Sequence, residues 1–299
     1  MRITLCLLLF ASTAAPAQNR ELRVAVTFDD IPSVAVSRCA PVELNQRLLA
    51  AIRRNRMPAT ALVVTGPERC GGQLLPRIVS AWVADGHEIG SHSHRHADIN
   101  SRTLRAYAAD VDSAHARLTQ ILRPHRLQVG YFRHPFLHAG NTAEKKEGLD
   151  RHLRSLGYRI AVVTVDNQEW VFAEAYARAK RRGDRAQLDR ILPAYYAHLD
   201  ASFAYYEELS QRIFQRQIPQ VLLLHANELN ADHLDGVAQL IRRRGYRFVS
   251  LREALRDPAY RRADTYVGRA GMSWLQRWAL ADGIAFQPEP REPAWLQAN

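Results

Sequence analysis

Two short stretches hold residues whose types and spacing could do chemistry. The first is Thr27-Phe28-Asp29-Asp30, two acids that close a β-like run. Paired carboxylates there can divide the work, one on a metal ion and one free as a base; an Asp pair after a strand also serves as a turn or a helix cap. The second is Gly90-Ser91-His92-Ser93-His94-Arg95-His96. His92 and His96 are four apart, so one helical turn would aim both at one point. Two neutral imidazoles and a carboxylate make a facial set that leaves coordination positions open for water and substrate. His94 falls between the other two and points elsewhere.

These residues must be positioned by strands alternating with helices, the pattern of a parallel βα architecture whose sites are built at strand C-termini. Arg23 to Phe28 reads as a strand, and a helix follows with Pro41 in its first turn and Leu44, Leu48, Leu49 and Ile52 on one face. Ala59 to Val64 is the next strand, followed by the helical stripe Leu74, Leu75, Ile78, Val79, Trp82 and Val83. His87 to Gly90 is a brief strand, and Ser101 is the expected cap of a long helix through Tyr107, Val111 and Leu118. Gly130 to Phe132, Arg159 to Val165, Gln220 to Leu224 and Tyr246 to Ser250 complete the strands. A helical insertion over 171–219 carries Tyr195, Leu199, Phe203 and Tyr206 at helical spacing, with Pro193 expected to interrupt or start a helix. It either packs on the exterior or covers the site as a lid. From Asp257 strand character is lost, and 283–299 reads as an extended tail.

Composition narrows the setting. Arg2, the apolar run Ile3 to Phe10 and Ala15-Pro16-Ala17 predict a secretory signal over residues 1–17. That run is short of the roughly 20 residues a membrane span needs, and no later stretch reaches that length, so no transmembrane segment is expected. About 280 residues then remain, enough for one large α/β domain. An exported protein, periplasmic or secreted, meets oxidising conditions, and Cys39 and Cys70 in turn-like segments are expected to pair as a disulfide rather than remain separate thiols. Net charge is +11, or +10 without Arg2. These charges are scattered over helix faces, with no basic arm and no aromatic–basic RNA motif, which argues against nucleic acid. Anionic envelope polymers are the better match.

Thr27-Phe28-Asp29-Asp30 followed by His92-x-x-x-His96 resembles the first two motifs of the polysaccharide deacetylase family, also called carbohydrate esterase family 4 or the NodB-homology fold. The approach Asp85-Gly86-His87-Glu88-Ile89-Gly90-Ser91-His92 is similar to that family's as well. Phe132-Arg133-His134-Pro135-Phe136 resembles the third motif, usually Arg-Pro-Pro-Tyr-Gly. Val165-Asp166-Asn167-Gln168-Glu169-Trp170 resembles the fourth, with Glu169 where Asp is usual, and Leu222-Leu223-Leu224-His225 the fifth. The resemblance covers residues 22–255 and leaves 256–299 as a C-terminal extension.

It implies an α/β fold, a distorted (β/α) barrel with the helical insertion before the last strands. It implies that Asp30, His92 and His96 hold a divalent metal, zinc foremost, with cobalt, nickel or manganese as alternatives. Asp29 would be the general base, oriented by Arg133, and His225 the general acid. The Phe136 N–H would meet the oxyanion, Trp170 and Leu224 would line the acetyl pocket, and Asp166 and Glu169 would support. The implied activity is removal of N-acetyl, or O-acetyl, groups from an envelope or extracellular glycan. Two alternatives stand beside it: hydrolysis of a small C–N substrate such as a cyclic amide, and non-catalytic glycan binding. Retention of both Asp29 and His225 speaks against the second, because a binder needs neither.

Overall fold

The computed structural model describes residues 21–33, 41–66 and 74–297. The signal expected over 1–17 and the pair Cys39 and Cys70 lie outside the described residues.

A parallel sheet is built around β1 (Leu22–Ile31), which is buried from Val24 to Asp29. It continues with β2 (Ala59–Val63), β3 (Glu88–Ser91), β4 (Tyr131–Phe132), β5 (Arg159–Ile160), β6 (Gln220–His225) and β7 (Tyr246–Phe248). Strand order is β5-β4-β3-β2-β1-β6, with β7 pairing the start of β1 through Leu22 and Tyr246. Every strand pairing among the described residues is parallel. The near-continuous Val, Ala and Leu runs of β1, β2 and β6 suit strands covered on both faces.

The strand expected over Arg159 to Val165 is broken in the middle, and the break closes the barrel. The Ala161 N–H still donates to Phe132 O (2.8 Å), whereas the Thr164 and Val165 N–H groups both turn to Val221 O of β6 (3.0 Å each). Val165 then forms a bridge with Leu222. The segment starts on one edge of the sheet and ends on the other, so it cannot keep a ladder along its whole length. The result is a distorted half-barrel of the α/β class that the sequence implies.

Helices cover the outside: α1 (Pro41–Arg54), α2 (Leu74–Ala84), α3 (Leu104–Leu122), α4 (Ala143–Ser155) and α7 (Glu228–Arg243). Thr103, not Ser101, caps α3, its hydroxyl accepting from Ala106 N–H; Ser101 ends a short 3-10 turn that Asp98 caps. The insertion is two helices, α5 (Glu169–Arg182) and α6 (Arg185–Phe214). Pro193 lies inside α6 instead of bounding a helix, because the buried face of Ile191, Tyr195, Leu199, Phe203 and Tyr206 runs past it on both sides.

Beyond α8 (Leu251–Ala254), the C-terminal residues do not trail away as an extended tail. The helix α9 (Trp274–Ala281) buries Trp274, Leu275 and Trp278. Tyr206 then donates to Glu289 Oε1 (2.7 Å), and Leu296 is buried with its carbonyl accepting from Arg178. Apolar residues spaced through the last stretch make this docking possible; they have no helical or strand period to announce it.

Trp82 of α2 ties this shell to β1. Its ring lies 5.8 Å from Phe28, next to the Asp pair, and its Nε1–H donates to Asn45 Oδ1 of α1 (2.9 Å). Trp82→Ala is expected to destabilise the protein by about 3–5 kcal/mol through the cavity it leaves. Trp82→Phe should cost roughly 1–3 kcal/mol, because Asn45 loses its donor. Urea unfolding midpoints at unchanged slope measure both.

Candidate active site

In an ideal strand, consecutive side chains face opposite ways, so Asp29 and Asp30 could not share a site. A register shift resolves this. Phe28 pairs with Ala61 and Ile31 with Val63, so an extra residue sits in β1, and Asp30 takes φ 61°. Such a bulge re-aims a side chain, and both carboxylates line one cleft.

Arg133, directly after β4, is fully buried and holds Asp29. Its Nη1 donates to Asp29 Oδ1 (2.7 Å) and to Thr27 Oγ1 (2.6 Å), while Nε and Nη2 donate to the carbonyls of Ala161 (2.9 Å) and Val162 (3.2 Å). The second Asp29 oxygen, Oδ2, is left facing His92 Nε2 at 3.5 Å. The Arg133 carbonyl accepts from His92 Nδ1 (2.9 Å), which fixes the tautomer and leaves a lone pair on Nε2. Burial first, then the neighbouring His96, lowers the His92 pKa to about 3, so its ring is neutral.

His92 and His96 converge without a helix. They sit in the loop after β3, where Ser93 (φ 69°) and His96 (φ 51°) adopt left-handed backbone and Ser93 Oγ accepts from His96 N–H (3.0 Å). The rings meet at 4.8 Å. Asp30 Oδ1 lies 3.4 Å from His96 Nε2 and 3.7 Å from His92 Nε2. Ligand atoms of Asp30, His92 and His96 all lie within 4.8 Å of one another. Two neutral or partly exposed imidazoles and a carboxylate are a donor set that fits a divalent ion bound through bonds of about 2.1 Å. His94 is outside this set and faces Thr65 Oγ1 (3.0 Å).

His225 ends β6, opposite Asp29 in register. Its Nδ1 donates to Glu169 Oε2 (2.8 Å), at the first turn of α5. The buried Glu169 carboxylate also accepts from Asn227 and from Asn230 Nδ2 (2.8 Å). Burial alone would lower the His225 pKa, but the Glu169 hydrogen bond and charge, with Asp30 and Asp29 behind them, raise it to about 9. Asp166 lines the same cleft, and burial together with Glu289 lifts its pKa to about 6.

The cleft encloses about 1280 Å³. Phe136 and Trp170, 52% and 45% exposed, stand on its walls, with Phe136 edge-on to His96 (4.5 Å). Phe136 is the second residue of a single 3-10 turn whose first bonded N–H is that of Leu137. Its own N–H therefore has no helical acceptor. The aliphatic wall is Leu223 and not Leu224: period 2 gives Leu223 the face of His225, while Leu224 is fully buried on the opposite one. Residues of α5 from Trp170 to Arg181 form one side of the cleft, and α6 packs behind them.

Sequence reasoning missed Leu223, Asn227, Asn230 and Gly271. The period of β6 would have found Leu223, and the pair Asn227-x-x-Asn230, in which Asn227 caps α7, was a local signal as well. Gly271 comes from the C-terminal extension and carried no local signal.

Residues 17–161 match the family described as Polysaccharide deacetylase. No curated protein sequence matches the chain. Among solved structures, the chitin deacetylase of the fungal pathogen Colletotrichum lindemuthianum is similar, with TM-score 0.55 and 22% identity over 79% of this chain and 88% of that one. A polysaccharide deacetylase from Bacillus cereus gives TM-score 0.52 and 17% identity over 77% and 92%. A carbohydrate esterase family 4 pseudoenzyme from Bacillus anthracis gives 0.50 and 16% over 79% and 66%. At these identities the likeness to solved structures is one of fold. The matched residues contain the first three motifs, and the half-barrel similar to that of the solved deacetylases continues through the other two.

Proposed function

We propose that this protein is a metal-dependent hydrolase that removes N-acetyl groups from an extracellular or envelope glycan. One observation carries the reading: a carboxylate held by a buried arginine and an imidazole held by a buried glutamate face each other across adjacent strands. A carboxylate with one oxygen free to accept a proton and an imidazole placed to deliver one can act as an acid–base pair. Likeness to a pseudoenzyme means that the fold alone does not carry activity, and the reading rests on these two pairs.

Asp30, His92 and His96 would hold the metal, zinc by the donor set. When bound, such an ion supplies Lewis acidity, which lowers the pKa of a water molecule and polarises the acetyl carbonyl. Asp29 Oδ2 takes a proton from the attacking water, while Arg133 keeps Oδ1 and so fixes the carboxylate plane. The Phe136 N–H donates to the carbonyl oxygen as its charge develops; losing one such donor costs about 3–4 kcal/mol in a well-ordered site. His225, with Nδ1 bound to Glu169, delivers a proton from Nε2 to the departing nitrogen. An amine leaves poorly unless protonated, so an amide needs this proton more than an activated ester does. Leu223 and Trp170 give the acetyl methyl an apolar wall.

Metal content tests the ligands. Asp30→Ala and His92→Ala are expected to retain the circular dichroism of the parent protein and to lose bound zinc after dialysis. Stoichiometric zinc in His92→Ala would overturn the ligand set.

Asp29→Asn keeps the shape of the base and removes its proton affinity, so kcat/KM should collapse by about 10²–10⁴-fold on an acetamide and an aryl acetate alike. His225→Ala should fall by a similar factor on the acetamide and much less on the aryl acetate. Equal losses on the two substrates would remove His225 from the role of leaving-group acid.

The acid form of His225 is present below about pH 9 and lost above it. Glu169→Gln removes the hydrogen bond and charge that raise the pKa most and leaves burial opposed only by the Asp30 and Asp29 charges, so the alkaline limb of kcat against pH should move down toward the ordinary histidine value of about 6.5. An unmoved limb would detach Glu169 from the acid.

A further inference from the structure

The turn that presents the Phe136 N–H is strained. Phe136 (φ 57°) and Leu137 (φ 54°) are consecutive left-handed residues, and neither is glycine. Such backbone persists only where its surroundings over-determine it. Here those surroundings come from far along the chain, beyond residues 17–161 that match the family.

The segment from Asp264 to Arg277 runs between this turn and the seam where the barrel closes. On one side, Gly268 N–H donates to Gly140 O (3.3 Å) and Arg277 Nη2 donates to Leu137 O. On the other, Trp274 N–H donates to Val163 O (2.8 Å) and Ser273 Oγ to Thr164 O (3.0 Å), just ahead of Asp166. Arg277 is almost completely buried and cannot swing away. Its Nε donates to Met272 O (3.0 Å), its Nη1 to Asp264 Oδ2 (2.7 Å), and its plane stacks 4.1 Å from the Trp274 ring. Gly271 lines the cleft, and a Cβ there would overlap the carbonyl oxygen of Phe136. The backbone at 271 therefore lies close against the carbonyl of Phe136, as only glycine allows, while Arg277 holds the next carbonyl.

We propose, on the reading that the Phe136 N–H meets the oxyanion, that the C-terminal extension acts as a clamp, with Gly271 and Arg277 as positioning residues that set where this donor points. Neither residue touches the reacting atoms. A donor that engages only the developing charge affects kcat and leaves ground-state binding alone.

The test compares Gly271→Ala and Arg277→Lys with the unsubstituted full chain, all loaded with zinc. Three quantities are read: bound zinc, hydrogen exchange of peptides covering 131–139, and kcat and KM on a soluble N-acetylglucosamine oligomer. In Gly271→Ala the added methyl displaces the turn; in Arg277→Lys one ammonium cannot reach three acceptors at once. Both variants should keep full zinc, exchange faster over 134–138 than elsewhere, and lose kcat by about 10²-fold, the effect of a misplacement of about 1 Å. KM should stay within about twofold. If Arg277→Lys fails to fold, Gly271→Ala carries the test alone. Unchanged exchange and kcat in Gly271→Ala would overturn the clamp, and so would a loss that tracks lower zinc or uniformly faster exchange. Should the unsubstituted protein leave the oligomer untouched, the deacetylase reading falls, and the exchange over 134–138 still decides whether the extension holds the turn.

Discussion

The buried contact between Arg133 and Asp29 is the constraint from which the rest of the site follows. One guanidinium satisfies the Asp29 carboxylate, the Thr27 hydroxyl and two carbonyls at the start of the barrel seam, and the Arg133 backbone carbonyl orients His92. Strand β1, the seam and the loop after β3 are thereby tied to one residue directly after β4. A buried ion pair broken on one side leaves a stranded charge, at about 3–5 kcal/mol. Arg133 is therefore as much a part of the fold as of the chemistry. Lysine could not replace it, because one ammonium cannot reach four acceptors in a plane.

His225, across the cleft, is held by a different partner, the carboxylate of Glu169. Glu169 is buried, and two asparagines and His225 surround its carboxylate, so its charge is directed to the imidazole and not to solvent. The extra methylene of Glu, where the family usually has Asp, is accommodated at the first turn of α5 and does not prevent the contact. The neutral residue in the metal-donor cluster, His92, lies on the other side of Asp29. Burial keeps His92 neutral and the Glu169 hydrogen bond and charge keep His225 cationic, a few ångströms apart.

Much of this was legible in the residues. Acids at a strand end, histidines four apart and a histidine closing an apolar run are local patterns, and each lies at the C-terminal end of a strand, where parallel sheets build sites. The geometry behind them was less so. Asp29 and Asp30 share a cleft only because β1 bulges, and the two histidines converge through left-handed loop residues, not a helical turn. Leu224 was expected in the pocket where Leu223 stands, an error of one residue that the period of two in β6 turns into the opposite face. Gly271 and Arg277 were out of reach, since contacts between residues so far apart in the chain leave no trace in either neighbourhood.

The pairing of Asp29 with His225 has a further consequence, for how such a protein can change over evolutionary time. Asp29 and His225 stand opposite each other because six residues of β6 are in register with β1, from Gln220 against Val24 to His225 against Asp29. The length of chain between them plays no part in that alignment. Two helices, α5 and α6, occupy the interval before β6, and the first of them walls the cleft. Insertions there can reshape what the cleft admits while the alignment of Asp29 with His225 stays fixed. A single residue gained or lost within the paired stretch itself would instead turn His225 away and present Leu224 in its place. The shape of the cleft and the alignment of its two facing side chains are thus written in separate parts of the chain.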